Sequence, residues 1–112
     1  MTPGDVIREE VEALNACRGE SSALEKAAEA AEAAEAFARS EIVRLSRTAA
    51  KSPARDAAII KLQKTQAAEA MRAARFRRQL AATIQKIGNK SAYILRLCEY
   101  YDLDPGKVGF TD

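Results

Sequence analysis

"AAKSPARD" (residues 49–56) decides how the chain folds. A proline pushes the residue before it out of helical angles, so no helix runs through Ser52 into Pro53. The same two residues also make a good helix start. A serine hydroxyl can accept from the first free N–H groups, and proline suits the first helical position because it has no N–H to leave unsatisfied. One helix therefore ends near Ala49 and another begins at Pro53.

Toward the N-terminus, Leu24, Ala27, Ala31, Ala34, Ala38, Ile42, Leu45 and Ala49 recur at steps of three and four. That spacing predicts a long helix with a heptad-like seam made mostly of alanine. Ser22 and Glu25 form a capping-box pattern at its start. Glu25, Glu29, Glu32 and Glu35 flank the seam, and the "AAEAAEAAEA" run (27–36) reads as ordered helix because Ala and Glu are strong helix formers. A shorter helix is expected before it. Thr2 and Asp5 form a second capping box around Pro3; Ile7, Val11, Leu14 and Cys17 share a face, and Gly19 is the expected left-handed stop.

Toward the C-terminus, a helix is expected from Pro53 to about Ile87, its apolar face built from Ile59, Leu62, Ala70, Ala73, Phe76, Leu80, Ile84 and Ile87. Gly88 and Asn89 both disfavour helix interiors and predict a break. A short helix from Ser91 to about Tyr101 follows, and Asp104-Pro105-Gly106 reads as a turn. No segment alternates with period two for long enough to suggest a sheet. The predicted architecture is all-α: an antiparallel long helical hairpin, coiled-coil-like with an Ala-rich seam, and short N- and C-terminal helices packed on it, about four helices in all. Residues 1–102 form the helical bundle domain and 103–112 a C-terminal turn and tail.

Composition limits how well this bundle stands alone. Of 112 residues, 24 are alanine, against 22 Leu, Ile, Val and Phe together. A buried methyl contributes about 0.8 kcal/mol, where a whole Leu or Phe contributes roughly 1.5–3. An alanine seam brings backbones close but stabilises little per residue, so a second copy or a protein partner is expected to complete the core.

The net charge of +2 hides a strong segregation. Residues 1–37 hold nine acids and three bases, whereas residues 51–90 hold ten bases and two acids. Within "MRAARFRRQLAATIQKIGNK" (71–90) there are six cations and no acid. At about 100° per residue, Lys61, Lys64, Arg72, Arg75, Arg78, Lys86 and Lys90 fall in one arc of about 120°, nearly opposite the apolar face. Cations that pair with a neighbouring helix flank the seam; these point away from it. They face water, an acidic protein surface (the glutamates of another copy included) or a phosphate backbone. A nucleic-acid contact would be strongly salt-dependent, but the stripe has no interleaved aromatics for stacking on bases.

"SAYILRLCEYYDL" (91–103) is apolar on nearly all sides, and a helix of that kind must be covered on several faces. Tyr93, Leu97, Tyr100, Tyr101 and Phe110 are the candidate docking residues: either they cap the bundle or they meet a partner, and Phe110 either folds back or docks as a linear element.

Chemistry is sparse. With no histidine, the commonest general base is missing. Two cysteines, Cys17 and Cys98, cannot fill the four positions of a zinc site, and both fall in apolar helical patterns. The five glycines form no phosphate loop. The expectation is a non-enzymatic interaction protein, an assembly or adaptor module, with no metal, no cofactor and no small-molecule substrate. A nucleic-acid-binding role through the basic stripe is the alternative. No run is apolar enough to span a membrane and the N-terminus does not read as a secretory leader, so a cytoplasmic setting is expected.

Overall fold

In a computed structural model, which describes residues 1–111, the chain is helical and no strand occurs among the described residues. Two long helices and one short one account for nearly all of it: α1 (Pro3–Thr48), α2 (Pro53–Tyr100) and a 3-10 helix (Pro105–Val108). The expectation of about four helices is corrected to two long ones. The break at Ser52-Pro53 is where the sequence places it; the expected breaks at Gly19 and Gly88-Asn89 are not there, and both glycines lie inside helices.

The reason lies in the register of the seam. In α1, Ile7, Leu14, Ser21, Ala28, Glu35 and Ile42 recur every seventh residue, as do Cys17, Leu24, Ala31, Ala38 and Leu45, and all are buried or half-buried. In α2 the same holds for Ile59, Gln66, Ala73, Leu80, Ile87 and Ile94, and for Leu62, Glu69, Phe76, Thr83, Lys90 and Leu97. Both frames pass across the glycines without losing step. A glycine inside a helix costs about 1 kcal/mol relative to alanine. Breaking the helix would forfeit several backbone hydrogen bonds and turn the next heptads off the seam. Strict alternation of three and four also places Ala28 in the first seam, with Ala27 and Ala34 half-buried beside it, and Thr83 in the second, while Ile84 is exposed.

The helix ends follow local chemistry. At the start of α1, the Thr2 N–H donates to Asp5 Oδ2 (3.1 Å) and the Asp5 N–H donates to Thr2 Oγ1 (3.2 Å), the reciprocal capping box. The Ser52 hydroxyl accepts from the Arg55 N–H at 3.1 Å and caps α2. The Ser22–Glu25 cap does not form, because Ser22 lies within α1. At the end of α2, the Leu103 N–H donates to the Cys98 carbonyl (2.8 Å) and the Asp102 N–H to the Glu99 carbonyl (3.3 Å). Asp102 takes the left-handed conformation (φ 55°), so this is a Schellman stop with aspartate in the usual glycine position.

The chain divides into two compact units. One comprises Met1–Ala23 with the chain from Leu80 onward. Its core is Ile7, Val11 and Leu14 from α1, Ile94 and Cys98 from α2, and Val108 and Phe110 from the tail, with Ile87, Leu97 and Leu103 packed against them. The tail is held by its own turn chemistry. Asp104 Oδ1 accepts from the Gly106 N–H (3.0 Å), Gly109 adopts φ 87°, and Arg18 Nη2 donates to the Thr111 carbonyl (2.7 Å). The tail residues thus belong to the packed unit, which extends beyond the expected boundary at residue 102. Asp112, counted in that tail, lies outside the described residues.

The other unit is Leu24–Gln79. Here the α1 and α2 segments lie side by side and are joined through the residues between Thr48 and Pro53. Its fully buried side chains are Ala28, Ala31, Ala38 and Ala73; Leu24, Ile42, Leu45, Ile59, Leu62 and Phe76 are only half-buried.

Candidate interaction surfaces

The Leu24–Gln79 unit leaves large apolar side chains in water: Met71 is 75% exposed, Phe37 67%, Ile60 52% and Val43 43%. No third layer covers them within the unit, and alanines of the seam leave the larger flanking residues only partly covered.

Its charges are unevenly used. Arg77 is the main polar tie between its two helix segments: Nη2 donates to Glu32 Oε1 (2.6 Å) and Nη1 to Glu25 Oε1 (3.1 Å). This hydrogen bonding from Arg77 holds the Glu32 carboxyl below the usual range and raises the guanidinium above its own. Arg77 lies off the basic stripe; its place beside the seam, one residue after Phe76, is the sequence signal that it can reach the other helix. The remaining acids pair locally: Glu35 with Arg39 (2.6 Å), Glu41 with Arg44 (2.7 Å), Asp56 with Arg55 (3.3 Å) and Glu69 with Arg72 (3.0 Å). Of the unit's seven carboxylates only Glu29 has no such partner among the described residues, whereas twelve Lys and Arg against seven Asp and Glu leave the unit at +5.

Five of the seven stripe cations belong to this unit: Lys61, Lys64, Arg72, Arg75 and Arg78, all exposed on the outer face of α2. Lys61, Lys64, Arg75 and Arg78 have no carboxylate within 4 Å among the described residues, and Arg72 has only Glu69 of its own helix. The Arg72 and Arg75 guanidinium groups lie 5.9 and 5.8 Å from the Phe76 ring centre, which anchors their stems. Like charges three and four residues apart repel by a few tenths of a kcal/mol per pair. An anionic surface laid on this face would reverse that.

The other two stripe residues lie in the unit containing the tail. Lys86 is exposed, while Lys90 is half-buried and reaches Glu10 of α1 at 3.7 Å. Of the aromatic candidates there, Tyr100 is the most exposed, and it stacks edge-on against Tyr101 (4.9 Å between centres, 84° between planes). Tyr93 and Tyr101 are partly exposed, Leu97 packs on the core, and Phe110 is buried: of its two expected roles, the structure has it folded back. A partner meets Phe110 only if the tail is displaced.

Cys17 and Cys98 are both buried and free, and burial, with a contribution from the Asp104 charge, pushes the Cys98 thiol up. Among the described residues no cluster of three or more His, Cys, Asp or Glu is placed to hold a metal ion, no cleft or cavity occurs, and no helix is long and apolar enough to cross a membrane. In comparison with known proteins, the chain matches no family model, no curated protein and no solved structure.

Proposed function

We propose that this protein is a helical interaction module, an assembly or adaptor protein that works by binding rather than by catalysis, and that Leu24–Gln79 is the part a partner completes. One observation carries the reading: in that unit nothing larger than alanine is fully buried, while Met71, Phe37 and Ile60 stand in water. A partner that covers these side chains would supply the buried apolar area that an alanine seam lacks. The partner is a second copy or another protein, and the exposed Tyr93, Tyr100 and Tyr101 offer a further place for it to dock. A cytoplasmic setting belongs to the same proposal.

Sedimentation and hydrogen exchange across a concentration series test it. The expected result is a mass above the monomer, or a co-purified protein, with amides in Leu24–Gln79 gaining protection as the complex forms. A monomer at every concentration, with those amides as protected as the ones around Ile7 and Ile94, would remove the reading.

The four cations without carboxylate partners in the Leu24–Gln79 part of α2 support a second reading, contact with a nucleic-acid backbone. It expects binding to duplex or single-stranded probes that weakens steeply between about 50 and 200 mM salt and is lost when Arg72, Arg75 and Arg78 become Glu. Absence of binding at the lower salt removes it.

A further inference from the structure

We propose that the occupant of the outer face of α2 is α1 of a second copy, with Glu9, Glu12 and Glu20 of one chain set against Lys64, Arg72 and Arg75 of the other. This rests on the reading of the protein as an interaction module and names the partner and the contact.

The acidic half of the contact is itself unpartnered. Residues 1–23 hold five acids and two bases, a net −3. Asp5 pairs with Arg8 and Glu10 with Lys90, while Glu9, Glu12 and Glu20 are exposed and form no ion pair among the described residues. Counted from the seam, these three lie on the exposed side of α1 with Ala16 and Gly19, just as Lys61, Lys64, Ala68, Met71, Arg72 and Arg75 lie on that of α2.

The intervals agree. Glu9, Glu12 and Glu20 are spaced by three and then eight residues. Lys61, Lys64 and Arg72 repeat three and eight, and Lys64, Arg72 and Arg75 give eight and three, so the ladders match whichever way the two helices run. From Glu9 to Glu20 and from Lys64 to Arg75 the rise is the same, about 16 Å at 1.5 Å per residue. Between the charges the outer faces carry small or flexible side chains: Ala16 and Gly19 on α1, Thr65, Ala68 and Met71 on α2. A β-carbon added at Gly19 would meet nothing within 4 Å, so there is open space above that turn. Small residues let two helix axes approach to about 8 Å, and the flexible Met71 side chain is suited to fill what remains.

Charge decides among the other occupants. Two copies of the α2 face repel each other. A phosphate backbone would satisfy the cations and leave Met71 in water with no exposed aromatic on that face to take a base. Each chain carries both an acidic and a basic face, so unlike faces of two copies can meet.

Charge reversal in two sets tests the proposal. One variant carries Glu9→Lys, Glu12→Lys and Glu20→Lys; the other carries Lys64→Glu, Arg72→Glu and Arg75→Glu; all six positions are exposed, and helix content by circular dichroism confirms folding. Sedimentation equilibrium is expected to show salt-sensitive self-association of the wild type and a dissociation constant at least about tenfold weaker for each variant alone. Mixing the two variants restores association, as does a single chain carrying all six changes. A wild type that is monomeric at 100 µM in low salt overturns the proposal, as does either variant associating like the wild type, or a mixture that stays apart. If the wild type associates and the reversals change nothing, this contact fails while the interaction reading stands. If the wild type is monomeric and the Lys64, Arg72 and Arg75 changes abolish only nucleic-acid binding, phosphate is the occupant and the proposal is overturned.

Discussion

Asp102 does work that glycine more often does. It sits in the left-handed region (φ 55°) where α2 ends, and it lets Leu103 turn back onto the core formed by Ile94 and Cys98. A residue with a β-carbon loses about 1 kcal/mol there relative to glycine. Its side chain makes no hydrogen bond within the described residues that would offset this. Asp102→Gly is therefore expected to stabilise the protein by a few tenths of a kcal/mol, about 0.5 at most, since the gain in native geometry is largely offset by the extra freedom of the unfolded chain. Urea unfolding measures it. A loss of stability would mean that the carboxylate has a role at this helix end beyond its backbone angle.

At the scale of elements, the glycine signal in the sequence misleads twice. Gly19 and Gly88 look like stops because glycine so often ends helices, yet the three-and-four alternation of Cys17, Ser21 and Leu24, and of Thr83, Ile87 and Lys90, continues through both. The frame was present in the sequence; it was hidden because Ser21, Thr83 and Lys90 are polar and a search for apolar residues passes over them. Other features were legible because they are local. The Thr2–Asp5 box, the Ser52 cap with Pro53, and the turn at Asp104-Pro105-Gly106 each follow from the chemistry of adjacent residues. Lys61, Lys64, Arg72, Arg75 and Arg78 lie exposed on α2 as the wheel placed them, but Lys90, counted with them, falls in the seam, and the charge partners were not legible. That Lys90 reaches Glu10, or that Arg77 spans Glu25 and Glu32, depends on which turn of one helix lies beside which turn of the other. Gly88 provides the test of continuity. It is exposed within α2 and an added β-carbon meets nothing within 4 Å. Gly88→Ala is expected to raise stability by about 0.5–1 kcal/mol with helix content unchanged. A kinked or left-handed Gly88 would make the same change destabilising.

For the molecule as a whole, acid is the informative variable, because several carboxylates are held by partners in the folded state. The Arg77 hydrogen bonds lower the Glu32 pKa, those from Arg44 lower that of Glu41, and the Thr2 backbone N–H lowers that of Asp5. A carboxylate whose pKa is depressed by folding binds fewer protons in the native state than in the unfolded one. Its contribution is therefore fully present above the unfolded value, 4.5 for Glu32, and is lost as pH falls through the lower folded value. Unfolding free energy is expected to be nearly flat from neutrality down to about pH 5 and to decline below it. These groups are solvent-exposed, so the decline is shallow and eased by salt. Glu32→Gln separates the tie between the helix segments from the local pairs. It removes the Glu32 proton from the balance and leaves those of Glu41 and Asp5, so the decline in acid should become less steep while stability at neutral pH falls slightly. Denaturant unfolding at pH 3 to 7 on both proteins measures the difference. Equal slopes would mean that Arg77 does not hold Glu32 in solution, leaving its pair with Glu25 and the seam to join the two helix segments of Leu24–Gln79.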